Sequence, residues 1–289
     1  MEFSIENEHI RASFVSKGAE LQHITGVDSG TEYLWKGDPN YWGKFSPVLF
    51  PIIGALKENI YHYEDRTYTL PRHGFARDME FDVERISDHE ILFTLRNTEE
   101  TLKVYPFKFI LKLRYKLTAA TLSCTYEVSN PDLKEMLFSI GGHPAFAAPL
   151  NKQGSYTDYF LAFNADEVIT YHHITENLIS DETTTLVLDD KMLYLTHETF
   201  YSDALVIKNL KSNSVSLMNK KNYNGINFKF ENFPYFGIWA AKDADFICLE
   251  PWCGIADSLD HNQQLKDKEG IITLAPSGEW QRTWKVTCF

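Results

Sequence analysis

Phe109-Ile110-Leu111-Lys112-Leu113-Arg114-Tyr115-Lys116-Leu117, then Thr118-Ala119-Ala120-Thr121, then Leu122-Ser123-Cys124-Thr125-Tyr126-Glu127-Val128-Ser129: this run sets the fold class. Leu111, Leu113, Tyr115 and Leu117 alternate with Lys112, Arg114 and Lys116. Beyond the turn, Leu122, Cys124, Tyr126 and Val128 alternate with Ser123, Thr125, Glu127 and Ser129. Successive side chains of a strand point to opposite faces, so a period of two places one face on a core and the other in water. The run therefore predicts an antiparallel hairpin with one dry and one wet face. Phe81-Val83 and Ile91-Phe93-Leu95 flank an Asp88-His89 turn and predict a second hairpin. Ile226, Phe228 and Phe230 repeat the period, as do Trp280, Trp284, Val286 and Cys288.

Helix signals are short and centre on Asp257 to Asp267. Strands outnumber them, so the expected class is all-β with antiparallel pairing. Long strands must hide their edges by stacking two sheets or closing a barrel. A large twisted sandwich meets this need, and alternation alone leaves the barrel open. With no repeat, low-complexity run or Pro/Gly/Ser-rich linker, one domain over residues 1–289 is expected.

Composition narrows the function classes. The net charge is −12, and no basic run of any length offers the face that a nucleic-acid backbone demands. Nucleic acid is not an expected partner. No stretch approaches the roughly 18 apolar residues of a membrane span, and the first twenty residues lack the apolar segment of a signal peptide. No membrane partner is expected, and the expected location is the cytoplasm. Cys124, Cys248, Cys253 and Cys288 do not form the dense pattern of a disulfide scaffold. The spacing of Cys248 and Cys253 matches no paired zinc knuckle, so no metal site is expected. Trp252-Cys253-Gly254 lacks the second cysteine of a thioredoxin motif, since Ala256 stands there.

Three stretches break the strand rhythm. Leu70-Pro71-Arg72-His73-Gly74-Phe75-Ala76-Arg77 is either a solvated surface loop or the polar wall of a pocket, with Gly74 admitting close backbone approach. In Phe138-Ser139-Ile140-Gly141-Gly142-His143-Pro144-Ala145-Phe146, Pro144 restricts His143 to extended geometry and the glycines clear space beside it. Imidazole titrates near neutrality, which suits a proton donor, although a structural histidine is the alternative. Phe246-Ile247-Cys248-Leu249-Glu250-Pro251-Trp252-Cys253-Gly254 places a carboxylate in an otherwise apolar run. Desolvation there raises its pKa and makes it a better base, whereas an exposed strand-end acid is the ordinary fate of glutamate. Trp252 serves either as core or as a flat surface for a sugar face.

Taken in order, these three motifs resemble the aldose 1-epimerase (galactose mutarotase-like) family, in particular its short bacterial branch with HGFAR and EPW signatures. The likeness runs from Phe45-Ser46-Pro47-Val48-Leu49-Phe50-Pro51 to the last strand. It implies a large antiparallel β-sandwich, the galactose mutarotase-like supersandwich, and interconversion of the α and β anomers of a hexose without a cofactor. It implies His143 as general acid on the ring oxygen and Glu250 as general base on the anomeric hydroxyl. His73 is implied near the anomeric centre, with Arg77 and Arg72 on hydroxyls or a phosphate. An acid and a base on opposite sides of the sugar would then open the ring to the aldehyde and reclose it.

The chain also departs from that family. Gly54-Ala55-Leu56-Lys57-Glu58-Asn59 stands where its galactose enzymes carry a pair of arginines. Asp203 and Asp257 are the candidates for a sugar-contacting aspartate. A hexose-6-phosphate 1-epimerase is the nearest rival, needing a basic pocket from Arg72, Arg77 and Lys44 or Lys57. A non-catalytic carbohydrate-binding or sensor protein on the same scaffold is a second rival. A hydrolase using Cys253 is a third.

Overall fold

The computed structural model describes residues 2–222 and 224–289. The hairpin forms as its alternation requires. Ile110–Thr118 and Thr121–Ser129 pair antiparallel about Ala119 and Ala120, with Ala119 at φ 47°, the positive value that two-residue hairpins impose. Leu111, Leu113, Tyr115, Leu117, Leu122, Cys124, Tyr126 and Val128 are all buried. This hairpin lies within a nine-stranded antiparallel sheet. Its other strands, in spatial order around the hairpin, are Met192–Tyr194, Tyr159–Phe163, Ser214–Asn219, Gly225–Lys229 and Glu279–Cys288 on one side, and Glu90–Arg96 and Asp82–Ser87 on the other.

A second large sheet runs Leu178–Val187, Val168–Thr175, Leu205–Ile207, Tyr235–Trp239, Phe246–Cys253, Ile140–Gly142 and Val48–Leu49, with Ala145–Ala147 also paired to Phe246–Cys253. The inner faces of the two sheets meet in one core. Phe228 packs on Phe146 and Phe236 across it, and the Trp284 indole donates to the Tyr126 hydroxyl at 2.8 Å. The molecule is thus an all-β antiparallel sandwich, and of the two ways to hide strand edges the stacked sheets prevail over a barrel.

Phe246–Cys253 is buried at every position. Its odd residues Ile247, Leu249 and Cys253 face the inter-sheet core. Its even residues Phe246, Cys248 and Trp252 join separate apolar clusters on the outer face, so Glu250 lies between them. A strand covered on both sides reads as a continuous apolar run. That is why this stretch shows no period of two.

Helix is sparse. The α-helix Glu99–Val104 is closed by a reciprocal Thr98–Thr101 capping box, a variant of the usual Ser/Thr-x-x-Glu signal. The helix expected around Asp257 to Asp267 is instead a loop ending in one 3-10 turn, Leu265–Asp267. Its polar side chains bond locally and displace the helical pattern: the Ser258 hydroxyl donates to Asp260, His261 Nδ1 accepts from Gln263 N–H, and Asn262 Oδ1 accepts from Gln264 N–H. No described helix is long and apolar enough to cross a membrane.

Candidate active site

Glu250 and Trp252 share the outer face of the eight-stranded sheet because they stand two residues apart on one strand. The Trp252 indole has room there only because both flanking strands carry glycine. A Cβ on Gly141 would come within 2.6 Å of Trp252 Cδ1, and one on Gly237 within 2.5 Å of its Cη2. The indole therefore lies across the backbone of both neighbours and forms part of the floor of a cavity of about 530 Å³. That size falls in the range of small-molecule pockets, roughly 300–1,000 Å³.

His143 leaves the neighbouring strand Ile140–Gly142 and enters the same cavity. Its backbone N–H is tied to Pro47 O at 3.1 Å. Trp42 stacks on its ring at 4.8 Å between centroids, and Trp239 meets it edge-on at 5.6 Å. Two aromatic neighbours leave the imidazole few orientations. Nε2 consequently stands 3.2 Å from Glu250 Oε2, off the line of a hydrogen bond, and Oε2 has no partner among the described residues. The pair stands side by side rather than on opposite sides, as the sequence reading expected. The chemistry accommodates this, since the ring oxygen and the anomeric hydroxyl oxygen are both bonded to C1.

Burial decides the charge state of the pair. It pushes the Glu250 carboxyl well above the ordinary range, with Arg72 opposing and Asp203 adding to the shift. It also pulls the His143 imidazole down, with the charges of Arg72 and Arg77 acting in the same direction. Both groups favour their neutral forms, so between them they hold one labile proton.

His73 is placed by backbone geometry. It adopts φ 69° and Gly74 φ 71°, which reverses the chain; a Cβ on Gly74 would strike Phe50 O at 2.3 Å. The His73 N–H donates to Gly54 O at 2.9 Å, and Nδ1 accepts from Gly54 N–H at 3.1 Å. Arg72 Nε lies 3.2 Å from Nε2. Burial, with His143, Arg72 and Arg77 nearby, keeps this imidazole neutral. A neutral imidazole has one acceptor nitrogen, so Gly54 and Arg72 compete for it. A ligand oxygen accepting from His73 Nε2–H and Arg72 would relieve the competition. Arg77 donates through Nη2 to Arg72 O at 2.8 Å, and its buried Nε has no hydrogen-bond partner among the described residues.

Of the residues singled out in the sequence, His143, Glu250, His73, Arg72, Arg77, Trp252 and Asp203 line this cavity. Asp257 does not. Its carboxylate is buried against Lys268 Nζ at 2.9 Å and accepts from Lys57 N–H at 2.9 Å, while its own N–H holds Ala55 O. It thus braces the segment that carries Gly54, and with it His73. Lys44 is turned away to Asp78 at 3.2 Å, and the Lys57 ammonium to His261 O at 3.3 Å, so neither reaches the cavity. Cys253 faces the inter-sheet core, where burial pushes its thiol up to about 12, which removes it as a nucleophile for this cavity.

Trp42, Trp239, Asn177, Tyr201 and Lys242 also line the cavity and were not singled out. Each lies in a connecting segment or at a strand end. The one local signal was the aromatic pair Tyr41-Trp42 in the polar stretch Asp38-Pro39-Asn40.

The outer face of the sandwich thus sets an imidazole–carboxylate pair among aromatic walls. The aldose 1-epimerase family model matches residues 1–286, and the chain belongs to that family. It is therefore an isomerase acting on carbohydrates, with a sugar as substrate. Protein LacX (chromosomal) of Lactococcus lactis subsp. lactis is 33% identical over 99% of both chains. A galactose mutarotase related enzyme from Lactobacillus acidophilus superimposes with a TM-score of 0.95 at 34% identity, covering 100% of this chain and 97% of that one. A galactose mutarotase-like protein from Lactobacillus casei ATCC 334 gives 0.91 at 32% identity, covering 100% of each.

Proposed function

We propose that the cavity interconverts the α and β anomers of a free hexose, with His143 as the acid and Glu250 as the base. The observation that carries this reading is the 3.2 Å separation of a buried imidazole nitrogen and carboxylate oxygen at a sugar-sized cavity. The labile proton of the pair first passes from the Glu250 carboxyl to His143 across their 3.2 Å separation. Glu250 then takes the proton from the anomeric hydroxyl while His143 gives its own to the ring oxygen, and the C1–O5 bond breaks. The open aldehyde is then faced by a neutral imidazole and a protonated carboxyl, the charge state that burial favours. Rotation about C1–C2 and reversal of both transfers deliver the other anomer. The proton count of the pair is the same before and after, so turnover needs no exchange with solvent. His73 and the arginines supply hydrogen bonds to hydroxyls, and Trp252 supplies an apolar face.

A pH profile follows from the same groups. The low-pH limb is the addition of a second proton to the pair, and the depressed imidazole of His143 accepts that proton only below its ordinary value of 6.5. Loss of the single proton is governed by the raised carboxyl of Glu250. The macroscopic values belong to the pair rather than to either residue. A plot of kcat/KM against pH is expected to place its acid limb below pH 6.5, with the alkaline limb displaced upward from the ordinary carboxylate range. An acid limb centred on or above 6.5 would assign the acid elsewhere.

One observation favours a second reading, a hexose 6-phosphate. Arg72, Arg77 and Lys242 place three cations on the cavity wall, and a phosphate dianion is a ligand such a set would hold. Exchange NMR on glucose, galactose and their 6-phosphates separates the two. A free hexose exchanging faster than its phosphate supports the first. A kcat/KM advantage of about a hundredfold for a phosphate, some 2.7 kcal/mol, would establish the second.

A further inference from the structure

The proposed chemistry leaves one side chain beside the reacting pair unused. Cys248 precedes Glu250 by two residues on the same face of Phe246–Cys253 and packs among Trp35, Ala145 and Phe246. One ligand atom each from His143, Cys248 and Glu250 all lie within 4.8 Å of one another. The three residues are 9%, 0% and 1% exposed. Glu250 Oε2 has no hydrogen-bond partner among the described residues, so that ligand atom is already free of competing contacts.

We infer that this cluster is a zinc site, and that Zn²⁺ bound there shuts the active site. Zinc is held by nitrogen at about 2.0 Å and by thiolate sulfur at about 2.3 Å in a tetrahedron, which puts ligand atoms roughly 3.3–3.8 Å apart. The ligand atoms start within 4.8 Å of one another, so closing on the ion requires side-chain shifts of about an ångström. The donor set is one sulfur, one imidazole nitrogen and one carboxylate, which suits zinc and not the all-oxygen shells of calcium or magnesium. On binding, the thiol and the carboxyl release their protons to solvent. One thiolate, one carboxylate and a neutral imidazole then balance the dication, so the assembly in this low-dielectric pocket carries no net charge. The fourth position opens toward the cavity, where water or a sugar hydroxyl completes the shell.

The linear spacing of the cysteines hid this set. The ligands come from two neighbouring strands, with the cysteine paired to a glutamate two residues on and to a histidine more than a hundred residues earlier. Because the ion takes both the imidazole and the carboxylate, bound zinc excludes proton transfer by either. Cys248 has no part in the proposed proton transfers and no place on the cavity wall.

The test titrates chelator-buffered Zn²⁺ alone into the full chain and follows binding by calorimetry and zinc-edge X-ray absorption, independently of any sugar assay. One bound ion is expected, with one sulfur scatterer at about 2.3 Å. Cys248→Ala is expected to keep its sugar isomerase rate within a few-fold. Its zinc affinity should fall by more than about a hundredfold, since even losing a residue behind the ligands costs about 10- to 100-fold. Cys248→Ser keeps the volume while removing the soft ligand, and serves if the alanine variant does not fold. An absorption spectrum without sulfur, or unchanged affinity in either variant, overturns the site. Zinc that binds through sulfur while leaving the isomerase rate intact overturns the inhibition. A chain that binds zinc this way but isomerises no sugar would fail the functional reading and leave the metal site standing.

Discussion

Glu250→Gln is expected to lower kcat by about 10²- to 10⁴-fold, the usual worth of a positioned general base, with sugar binding changed only a few-fold. Glutamine keeps the shape and the hydrogen-bonding oxygen but has no basicity. The stability side makes the test sharper. The folded protein raises the Glu250 carboxyl well above its unfolded value. Such a group contributes stability below the unfolded pKa and loses it as the pH rises, so at neutral pH the buried acid is a burden. A neutral amide carries none of it. The variant should therefore melt at pH 7 no lower than the wild type, while its rate collapses. Polarimetry and a thermal melt on the same preparation check both halves. Near-normal turnover would remove Glu250 from the role of base, and a large fall in Tm would recast it as a structural residue.

His143→Asn carries the second large effect, again about 10²- to 10⁴-fold in kcat. Asparagine retains a polar tip but cannot pass a proton at neutral pH. The loss should fall on kcat and kcat/KM alike, as for an interaction made in the transition state. Trp42, Trp239 and Trp252 all line the cavity, so sugar binding can be followed by intrinsic fluorescence in the inactive protein. Retained binding with lost turnover fits a proton donor. Equal loss of both would make the imidazole a binding group that Trp42 happens to cover.

The site depends on glycines as much as on its charged groups. Gly141 and Gly237 let the Trp252 indole lie across two strands, and Gly142 admits the Tyr126 hydroxyl on the opposite face, where a Cβ would come within 2.5 Å. These vacancies let one sheet carry a packed core on its inner face and a sugar-sized cavity on its outer one. The buried Asp257–Lys268 pair does related work at a distance, fixing the segment that gives Gly54 both of its bonds to His73.

The chain's alternation determined the sandwich class by itself, because a period of two at Leu111–Leu117 and Leu122–Val128 is a local consequence of burying one face of a strand. The motif residues were legible too, since Gly-Gly-His-Pro and Glu-Pro-Trp break that rhythm with groups a turn does not need. Only the tertiary structure put the imidazole beside the carboxylate, turned Asp257, Lys44 and Lys57 away, and brought Trp42, Trp239, Lys242 and Cys248 to the site. Those facts depend on which distant strands lie side by side and which face of Phe246–Cys253 is outward. A strand buried on both faces carries no mark of its orientation in its sequence.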